Sequence, residues 1–121
     1  MKHLCLNDLT VQGVSHNAAI RKKVMLQPGD LPHLTQFAQA QFPPGAIAGA
    51  HQHRDMHEVF FVESGTGQII IDGRPHPLMP GVCVAVAPGE LHEVSNTGAD
   101  LLVVTYFGIA TAAAQSSSGV E

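Results

Sequence analysis

The sequence predicts an all-β protein built as an antiparallel sandwich or barrel. From Leu34 onward, short apolar or alternating runs recur, and turn dipeptides rich in Gly and Pro separate them at fairly regular intervals. Helical periodicity is almost absent. Many short strands joined by tight turns are typical of sandwiches and barrels. At 121 residues and without an internal repeat, the chain is expected to form one domain, which excludes a two-barrel protein.

The N-terminal part has the weakest pattern. Thr10–Val14 and Ile20–Leu26 each fit a strand, and Gln27-Pro28-Gly29-Asp30 is typical of a turn. We assign residues 1–33 to N-terminal strands or an arm, and one interpretation is that they pair with another subunit. The run Arg21-Lys22-Lys23 is interpreted as a solvated strand edge rather than as a phosphate contact.

Residues 34–108 are expected to form the barrel. The predicted strands are Leu34–Phe42, Ala46–His53, Glu58–Glu63, Gly67–Asp72, Val82–Ala87, Glu90–Ser95 and Leu101–Phe107. Asp72-Gly73 suits a type I′ turn and predicts a hairpin with Arg74-Pro75-His76 on its second arm. Residues 109–121 are assigned to a tail, with a short helix over Ala110–Gln115 followed by disorder.

Composition excludes several classes of function. Apolar residues make up 45% of the chain and charged residues 13%, which is typical of a soluble globular protein. A net charge of -4 argues against a nucleic-acid partner. The longest apolar stretch, Leu101–Ala114, is interrupted and too short to cross a membrane, and residues 1–8 lack an apolar signal core. Two cysteines form neither a disulfide framework nor a metal site, so we expect a cytoplasmic protein, with Cys83 buried in a strand.

Histidine is frequent and clustered. Among eight histidines, His51, His53 and His57 lie within seven positions, and His92 lies further along the chain. Imidazole is a versatile metal ligand. For any single histidine, a surface position or a hydrogen-bonded core position is the more common explanation. The set as a whole favours a metal site.

Strand parity predicts part of that site and leaves part open. His51 and His53 share one face of an extended strand if Gln52 points away. Glu58 has the opposite parity to His53, so a break is expected at Arg54-Asp55-Met56. Beyond the break, the two alternative faces are Glu58, Phe60 and Val62, or His57, Val59, Phe61 and Glu63. Apolarity does not choose between these faces.

The segment Gly45–Gly65 resembles the first motif of the cupin superfamily. Gly45 is followed after five residues by His51, and His53 comes two positions later. Glu58 follows after four more residues, and Gly65 after a further six. Every position of the motif is matched.

The segment Gly81–Asn96 resembles the second cupin motif. Its turn, Pro88-Gly89-Glu90-Leu91, is expected to deliver His92 from the end of a neighbouring strand, and Asn96 follows after three residues. The first proline of the motif corresponds to Ala87 here, a departure that affects loop rigidity more than chemistry. Two spaced motifs in the right order are far more specific than either alone.

The resemblance implies a jelly-roll barrel of six to eight antiparallel strands that holds a metal ion. The implied ligands are His51, His53, Glu58 and His92. This choice makes Glu58 the ligand and points His57 away. The remaining histidines are expected behind the ligands or on the surface, and they are His3, His16, His33, His57 and His76.

The implied ligands indicate which cofactor and partners to expect. Three neutral imidazoles and one carboxylate leave a divalent ion with a net charge of about +1, which favours an anionic or enolisable small molecule. The resemblance favours manganese or iron, with nickel, cobalt or zinc as alternatives. An octahedral ion keeps two adjacent positions for water, dioxygen or substrate. A homodimer is expected, because strand edges and an apolar outer face need cover.

The expected function is that of a metal-dependent cupin enzyme for a small molecule, whether oxygenase, isomerase, lyase or cyclase. Tyr106 is a candidate proton donor, and Gln41, with Gln39 on the same strand face, is a candidate for orienting the substrate. An alternative is a non-enzymatic module that binds or senses a sugar or small acid with the help of the metal. A structural or storage barrel is a third possibility, and the complete ligand set argues against it.

Overall fold

The computed structural model describes residues 1–14 and 17–112, which form ten strands and a short 3₁₀ helix at Leu6–Asp8. The strands are β1 Gln12–Val14, β2 Asn17–Leu26, β3 Leu34–Phe42, β4 Ile47–His51, β5 Met56–Ser64, β6 Gly67–Ile71, β7 Arg74–Leu78, β8 Cys83–Val86, β9 His92–Ser95 and β10 Leu102–Ala110. The all-β prediction is confirmed. Within the described ranges, no helix is long and apolar enough to cross a lipid bilayer.

Two antiparallel sheets pack face to face as a jelly roll. One sheet has six strands in the order β1-β2-β3-β10-β5-β8, and the other has four in the order β4-β9-β6-β7. Alternate residues of each strand point between the sheets, as period-2 strands require. The buried apolar cluster that results consists of Ile20, Ala40, Phe42, Ala46, Phe60, Val62, Ile69, Leu78, Val86, Val94, Leu102 and Val104.

The hairpin between β6 and β7 follows the predicted turn chemistry. Asp72 and Gly73 have φ values of 48° and 83°, and Ile71 pairs with Arg74 across the turn. Positive φ at both central residues is the signature of a type I′ turn. The strand β7 contains Pro75 and Pro77, and it lies at the edge of the four-stranded sheet, where a missing N–H breaks no ladder bond.

The strand β2 lies inside the six-stranded sheet and pairs with strands of its own chain on both sides. It pairs with β3 on one side, where Lys22 is opposite Ala40, and β1 covers its other side. The interpretation of the basic run as a strand edge is therefore wrong. Ile20 and Val24 are buried, and Lys22 has the same parity, so Lys22 is on the inner face.

Two smaller predictions also need correction. Cys83 is exposed rather than buried, because Val84 and Val86 take the inner face of the edge strand β8 and leave Cys83 on the outer one. The strand β10 continues to Ala110, so the helix predicted over Ala110–Gln115 does not begin at Ala110. The last three residues of that predicted helix lie outside the described residues. Thr111 donates its backbone N–H to the carbonyl of Asp55 at 2.8 Å, just beyond the end of the strand.

Candidate metal centre

The first motif crosses from one sheet to the other. The strand β4 ends at His51, the chain bends at Arg54 and Asp55, and β5 begins at Met56. His53 lies in the irregular segment between the strands, so the two histidines are not neighbours on one strand face as predicted. Their rings are nevertheless adjacent, with centroids 5.1 Å apart. The bend, which was predicted, turns the following strand toward the same centre.

Glu58 faces the interior. On β5, the residues Met56, Glu58, Phe60 and Val62 are buried, and His57 is exposed. Only 5% of Glu58 is exposed, which is rare for a carboxylate without charged or hydrogen-bonding partners. The structure therefore takes the first of the two strand faces that parity had left open.

His92 is delivered from the adjacent strand β9. It is the first residue of β9, it is 1% exposed, and it lies directly opposite His51 in the ladder between β4 and β9. The preceding turn is anchored to the first motif, since Gly89 donates its N–H to the carbonyl of His53 at 2.7 Å. Gly89 has a φ of 86°, a left-handed conformation that favours glycine. The turn of the second motif thus locks onto the loop of the first.

Four side chains converge at this point. His51, His53, Glu58 and His92 each offer one donor atom, and these atoms all lie within 4.8 Å of one another. Nε2 of His92 is 3.0 Å from Oε1 of Glu58, and Nε2 of His53 is 3.6 Å from the same oxygen. Three imidazoles and a carboxylate at these separations surround a space of the size that one metal ion occupies.

The backs of two rings are fixed by the main chain. Nδ1 of His51 lies 2.8 Å from the carbonyl oxygen of Gly49, and Nδ1 of His92 lies 3.1 Å from that of Glu90. A carbonyl only accepts, so Nδ1 of each ring carries the hydrogen and donates it. Support of this kind orients imidazoles in metal sites, and here it would direct Nε2 of each ring at a bound ion. The residues present therefore fit a divalent transition metal.

The raised pKa of His92 also fits a site for a positively charged ion. Burial lowers the pKa of His92, but the hydrogen bonds to Glu58 and to the Glu90 carbonyl, with the charge of Glu58, outweigh burial and raise it overall. A proton shared between His92 and Glu58 occupies a position between two donor atoms of the cluster. A metal ion bound there would displace that proton and would neutralise the charge of Glu58 in its place.

Three of the four donor residues, His51, Glu58 and His92, line a cavity between the two sheets. The cavity has a volume of about 680 Å³, including the part that is open to solvent. Its lining is mostly apolar, and consists of Val14, Ile20, Lys22, Ala40, Phe42, Ala48, His51, Glu58, Phe60, His92, Val94, Val104 and Tyr106. A largely apolar cavity with a few convergent polar groups is the usual form of a small-molecule site.

The comparison with known families agrees with the motifs and the fold. Residues 38–107 match the family model described as a cupin domain. The chain belongs to the cupin family. The matched range includes both motif segments, Gly45–Gly65 and Gly81–Asn96, and all four donor residues of this cupin.

One similar protein is an oxalate-binding protein from Thermotoga maritima. The two sequences are 32% identical over 62 residues, a match that covers 51% of this cupin and 51% of that protein. The part of the chain that matches spans about half the length of this relative.

Similar solved structures cover nearly the whole chain. A predicted oxalate decarboxylase from Thermotoga maritima has a TM-score of 0.83 at 22% identity, covering 90% of this cupin and 99% of that chain. KdgF from Halomonas sp. has a TM-score of 0.75 at 21% identity, covering 90% and 94%. The polyketide cyclase RemF from Streptomyces resistomycificus has a TM-score of 0.77 at 16% identity, covering 94% and 82%. At these identities, the likeness shows a shared fold.

Of the candidate catalytic residues, Tyr106 lies at the cavity of this cupin and Gln41 does not. Tyr106 lines the cavity and stacks on Phe60, with ring centroids 5.8 Å apart and planes 25° apart. Phe60 in turn lies 5.9 Å from the ring of His92, so an aromatic wall leads from Tyr106 to the donor cluster. Gln41 alternates with Ala40 and Phe42, which line the cavity, and it therefore faces outward, contrary to the prediction. Gln39 shares its outer face and donates a hydrogen bond to Glu63.

Sequence reasoning missed one cavity residue. Lys22 lines the cavity, although it had been grouped with its basic neighbours as solvated. The available signal was the alternation of Ile20, Lys22 and Val24, which puts the lysine on the apolar face of the strand.

The other described histidines lie away from the cluster. All of them are exposed, and they are His3, His33, His57 and His76. Nδ1 of His33 lies 3.2 Å from the carbonyl of Ala110. His16 lies outside the described residues.

Proposed function

We propose that this cupin binds one divalent transition metal ion through His51, His53, Glu58 and His92 and acts as an enzyme on a small anionic or enolisable molecule. The observation that carries the proposal is the convergence of four donor atoms within 4.8 Å of one another, beside a cavity of about 680 Å³ that three of the four donor residues line. Manganese or iron is the proposed ion, with nickel, cobalt or zinc as alternatives, because nitrogen and oxygen donors without thiolate suit all five.

The bound ion supplies Lewis acidity and, if it is redox-active, a site for dioxygen. The residues around it set the local charge and exclude water. Glu58 offsets one of the two metal charges, and three neutral imidazoles add none, so a charge of about +1 attracts an anion. The apolar walls formed by Phe60, Val94 and Val104 lower the local polarity and strengthen that attraction.

A small carboxylic acid is the ligand class that these features favour. Carboxylate oxygens are good partners for a divalent ion with a net positive charge. The relative from Thermotoga maritima is named an oxalate-binding protein, which supports a small anion as the ligand here too.

Tyr106 is the proposed proton donor or acceptor. Its ring is held against Phe60, so its phenol group stays at the cavity wall rather than turning into solvent. A phenol in this position can donate a hydrogen bond to a substrate oxygen and stabilise charge that develops there. Its conversion to phenylalanine removes the hydroxyl and keeps the stacked ring.

The test combines elemental analysis with a screen of small acids. We expect about one metal ion per chain, and chemical conversion of at least one acid that depends on the metal. His51→Ala should abolish both, and His57→Ala should abolish neither, because His57 is exposed and points away from the cluster. Conversion that survives in His51→Ala, or in metal-free protein, contradicts the proposal.

Metal-dependent binding without chemistry is the second candidate function. It is favoured by the relative's name and by the cavity lining, in which Tyr106 is the one evident proton donor besides Lys22 and the ligands. An acid that binds tightly to the metal-loaded protein and is recovered unchanged after prolonged incubation supports this second function over the first.

A homodimer and a cytoplasmic location complete the proposal. Phe61 and Ile109 are 45% and 43% exposed on the outer face of the six-stranded sheet, where Phe37 and Phe107 also stack edge to face. An apolar patch on a sheet face is a natural contact for a second copy. Sedimentation should give a dimer that Phe61→Lys weakens, and a monomeric wild-type protein at micromolar concentration contradicts this part.

A further inference from the structure

The turn that precedes His92 is closed by a side chain as well as by the main chain. Glu90 donates its backbone N–H to the carbonyl of Ala87 at 3.2 Å. The two residues between them, Pro88 and Gly89 with a φ of 86°, are typical of a type II turn. In the opposite direction, the backbone N–H of Ala87 donates to Oε1 of Glu90 at 2.7 Å. Two hydrogen bonds therefore join the ends of this turn.

The turn supports two of the four donor residues. The carbonyl of Glu90 accepts the hydrogen bond from Nδ1 of His92 at 3.1 Å, and Gly89 donates its N–H to the carbonyl of His53 at 2.7 Å. The conformation of the turn sets the direction of both groups. Bonds of this kind behind a metal ligand change metal affinity by about 10- to 100-fold. A looser turn should therefore weaken the binding of a metal ion.

Ala87 is the position at which the second segment departs from the cupin motif, which has proline there. A proline ring fixes φ at about −65° but carries no N–H. Alanine lacks the ring, and it supplies the N–H that the carboxylate of Glu90 accepts. One restraint on the turn is thus absent, and another, which proline does not allow, is present.

The bond from Ala87 to Glu90 is of a strong type. Its acceptor is a carboxylate, and a distance of 2.7 Å is in the range of hydrogen bonds with one charged partner. Glu90 is half-buried, so the bond is also less exposed to competing water than a contact on an open surface. These properties make the carboxylate an effective restraint on the turn.

We propose that Glu90 is a positioning residue for the metal site, and that its carboxylate takes the place of the restraint that proline gives at position 87 of the motif. Glu90 does not bind the ion, and it acts through the turn on His92 and His53. This inference rests on the proposed function, because it requires a metal ion at the donor cluster. It deepens that function by naming a residue that sets the affinity for the ion.

The test is a double-mutant cycle on Ala87 and Glu90, with calorimetric titration of Mn²⁺ into the metal-free protein. Glu90→Ala removes the acceptor and should weaken manganese binding by about tenfold to hundredfold. Ala87→Pro removes the donor and adds the ring, so the affinity should stay within about threefold of wild type. Adding Glu90→Ala to Ala87→Pro should then change the affinity by less than about threefold, because the carboxylate has no N–H left to hold.

Two further variants separate the position of the turn from the charge of the carboxylate. Glu90→Gln keeps an acceptor oxygen for the N–H of Ala87 and should retain most of the manganese affinity. A loss as large as that of Glu90→Ala would mean that the charge alone acts on the ion, which overturns the proposal. Glu93→Gln is the matched control, because it removes a half-buried carboxylate next to His92 and should change the affinity by less than about twofold.

Hydrogen exchange in the metal-free protein gives a readout that needs no ion. The backbone N–H of Ala87 should be protected in the wild type and should exchange at least about tenfold faster in Glu90→Ala. Equal exchange rates in the two proteins contradict the role of the carboxylate in closing the turn.

The outcomes distinguish this inference from the function beneath it. If the wild type binds manganese and Glu90→Ala binds it equally tightly, the positioning role is overturned and metal binding stands. The same holds if Glu90→Ala costs as much affinity in the Ala87→Pro protein as in the wild type. If the wild type binds no divalent metal, the proposed metal site fails, and this inference fails with it.

Discussion

Replacing Glu58 by glutamine should remove most of the stabilisation that a bound metal gives this cupin. Glu58 is the one anionic donor of the cluster, it is 5% exposed, and its Oε1 lies 3.0 Å from His92 and 3.6 Å from His53. Glutamine has nearly the same shape and keeps an acceptor oxygen, so the fold and the hydrogen bond with His92 should survive. The charge that holds the ion should not.

The magnitude follows from binding linkage. At a metal concentration one hundred times the dissociation constant, binding stabilises the folded chain by about 2.7 kcal/mol. For 121 residues the entropy of unfolding is about 0.25 kcal/mol/K, so the wild-type Tm should rise by about 11 °C. Supporting residues around a metal alter affinity by about 10- to 100-fold, and loss of the charged ligand should cost at least about 100-fold. The rise in Tm should then fall below about 2 °C.

Differential scanning calorimetry with and without manganese measures this effect. Each variant is compared with its own metal-free form, which removes any change in intrinsic stability. Glu63→Gln is the matched control, because Glu63 is on the same strand but exposed on the outer side, where Gln39 and Thr105 donate to its carboxylate. A full metal-induced shift in Glu58→Gln would refute the assignment of Glu58 as a ligand.

Three other outcomes are expected. Tyr106→Phe should lower kcat of an identified reaction by about 10²- to 10⁴-fold with little change in ligand affinity, since only the hydroxyl is lost, and an unchanged kcat in steady-state kinetics contradicts its role. Asn96→Ala should destabilise the fold by about 2–4 kcal/mol in urea denaturation, because the Asn96 amide donates to the carbonyls of Phe42 and Asp100 and accepts from Gly98; a loss under about 1 kcal/mol contradicts this. The raised pKa of His92 stabilises its protonated form, so manganese affinity measured by titration should fall as pH decreases through that pKa. In the metal-free protein, the stability that this proton adds should be lost as pH rises through the same pKa. A manganese affinity that does not change with pH contradicts the first of these two expectations.

Most of the fold could be predicted because its signals are local. Asp72-Gly73 adopts the turn that its residue types favour, and β3 has the predicted bounds because Phe42 is followed directly by the turn at Pro43-Pro44-Gly45. The strand β7 was represented only by its first residues, because Pro75 and Pro77 weaken a strand pattern that an edge position tolerates. The bounds of β10 were short because no turn signal marks its end.

The candidate metal centre was harder to predict than the fold. Parity suggested that His51 and His53 meet on one strand, but the strand ends at His51, and the bend that follows brings His53 back to its neighbour. Parity could not choose between Glu58 and His57, because Phe60 and Phe61 make both faces equally apolar in sequence. The resemblance of the two segments to the cupin motifs supplied that choice.

The cavity residues depend on long-range pairing that sequence spacing does not encode. Gln41 was predicted to face the substrate and Lys22 to face solvent, and in the structure Lys22 faces the cavity and Gln41 faces outward. Lys22 pairs with Ala40, which is next to Gln41 on β3, and successive residues of a strand point to opposite faces of the sheet. Once Ile20 and Phe42 are known to be buried, the direction of both polar residues follows from alternation.

The most direct test of the central claim is an anomalous diffraction measurement on crystals grown with manganese. The account predicts one anomalous peak per chain, bonded to His51, His53, Glu58 and His92 together. A peak at any other position, or none at full metal occupancy in solution, contradicts it.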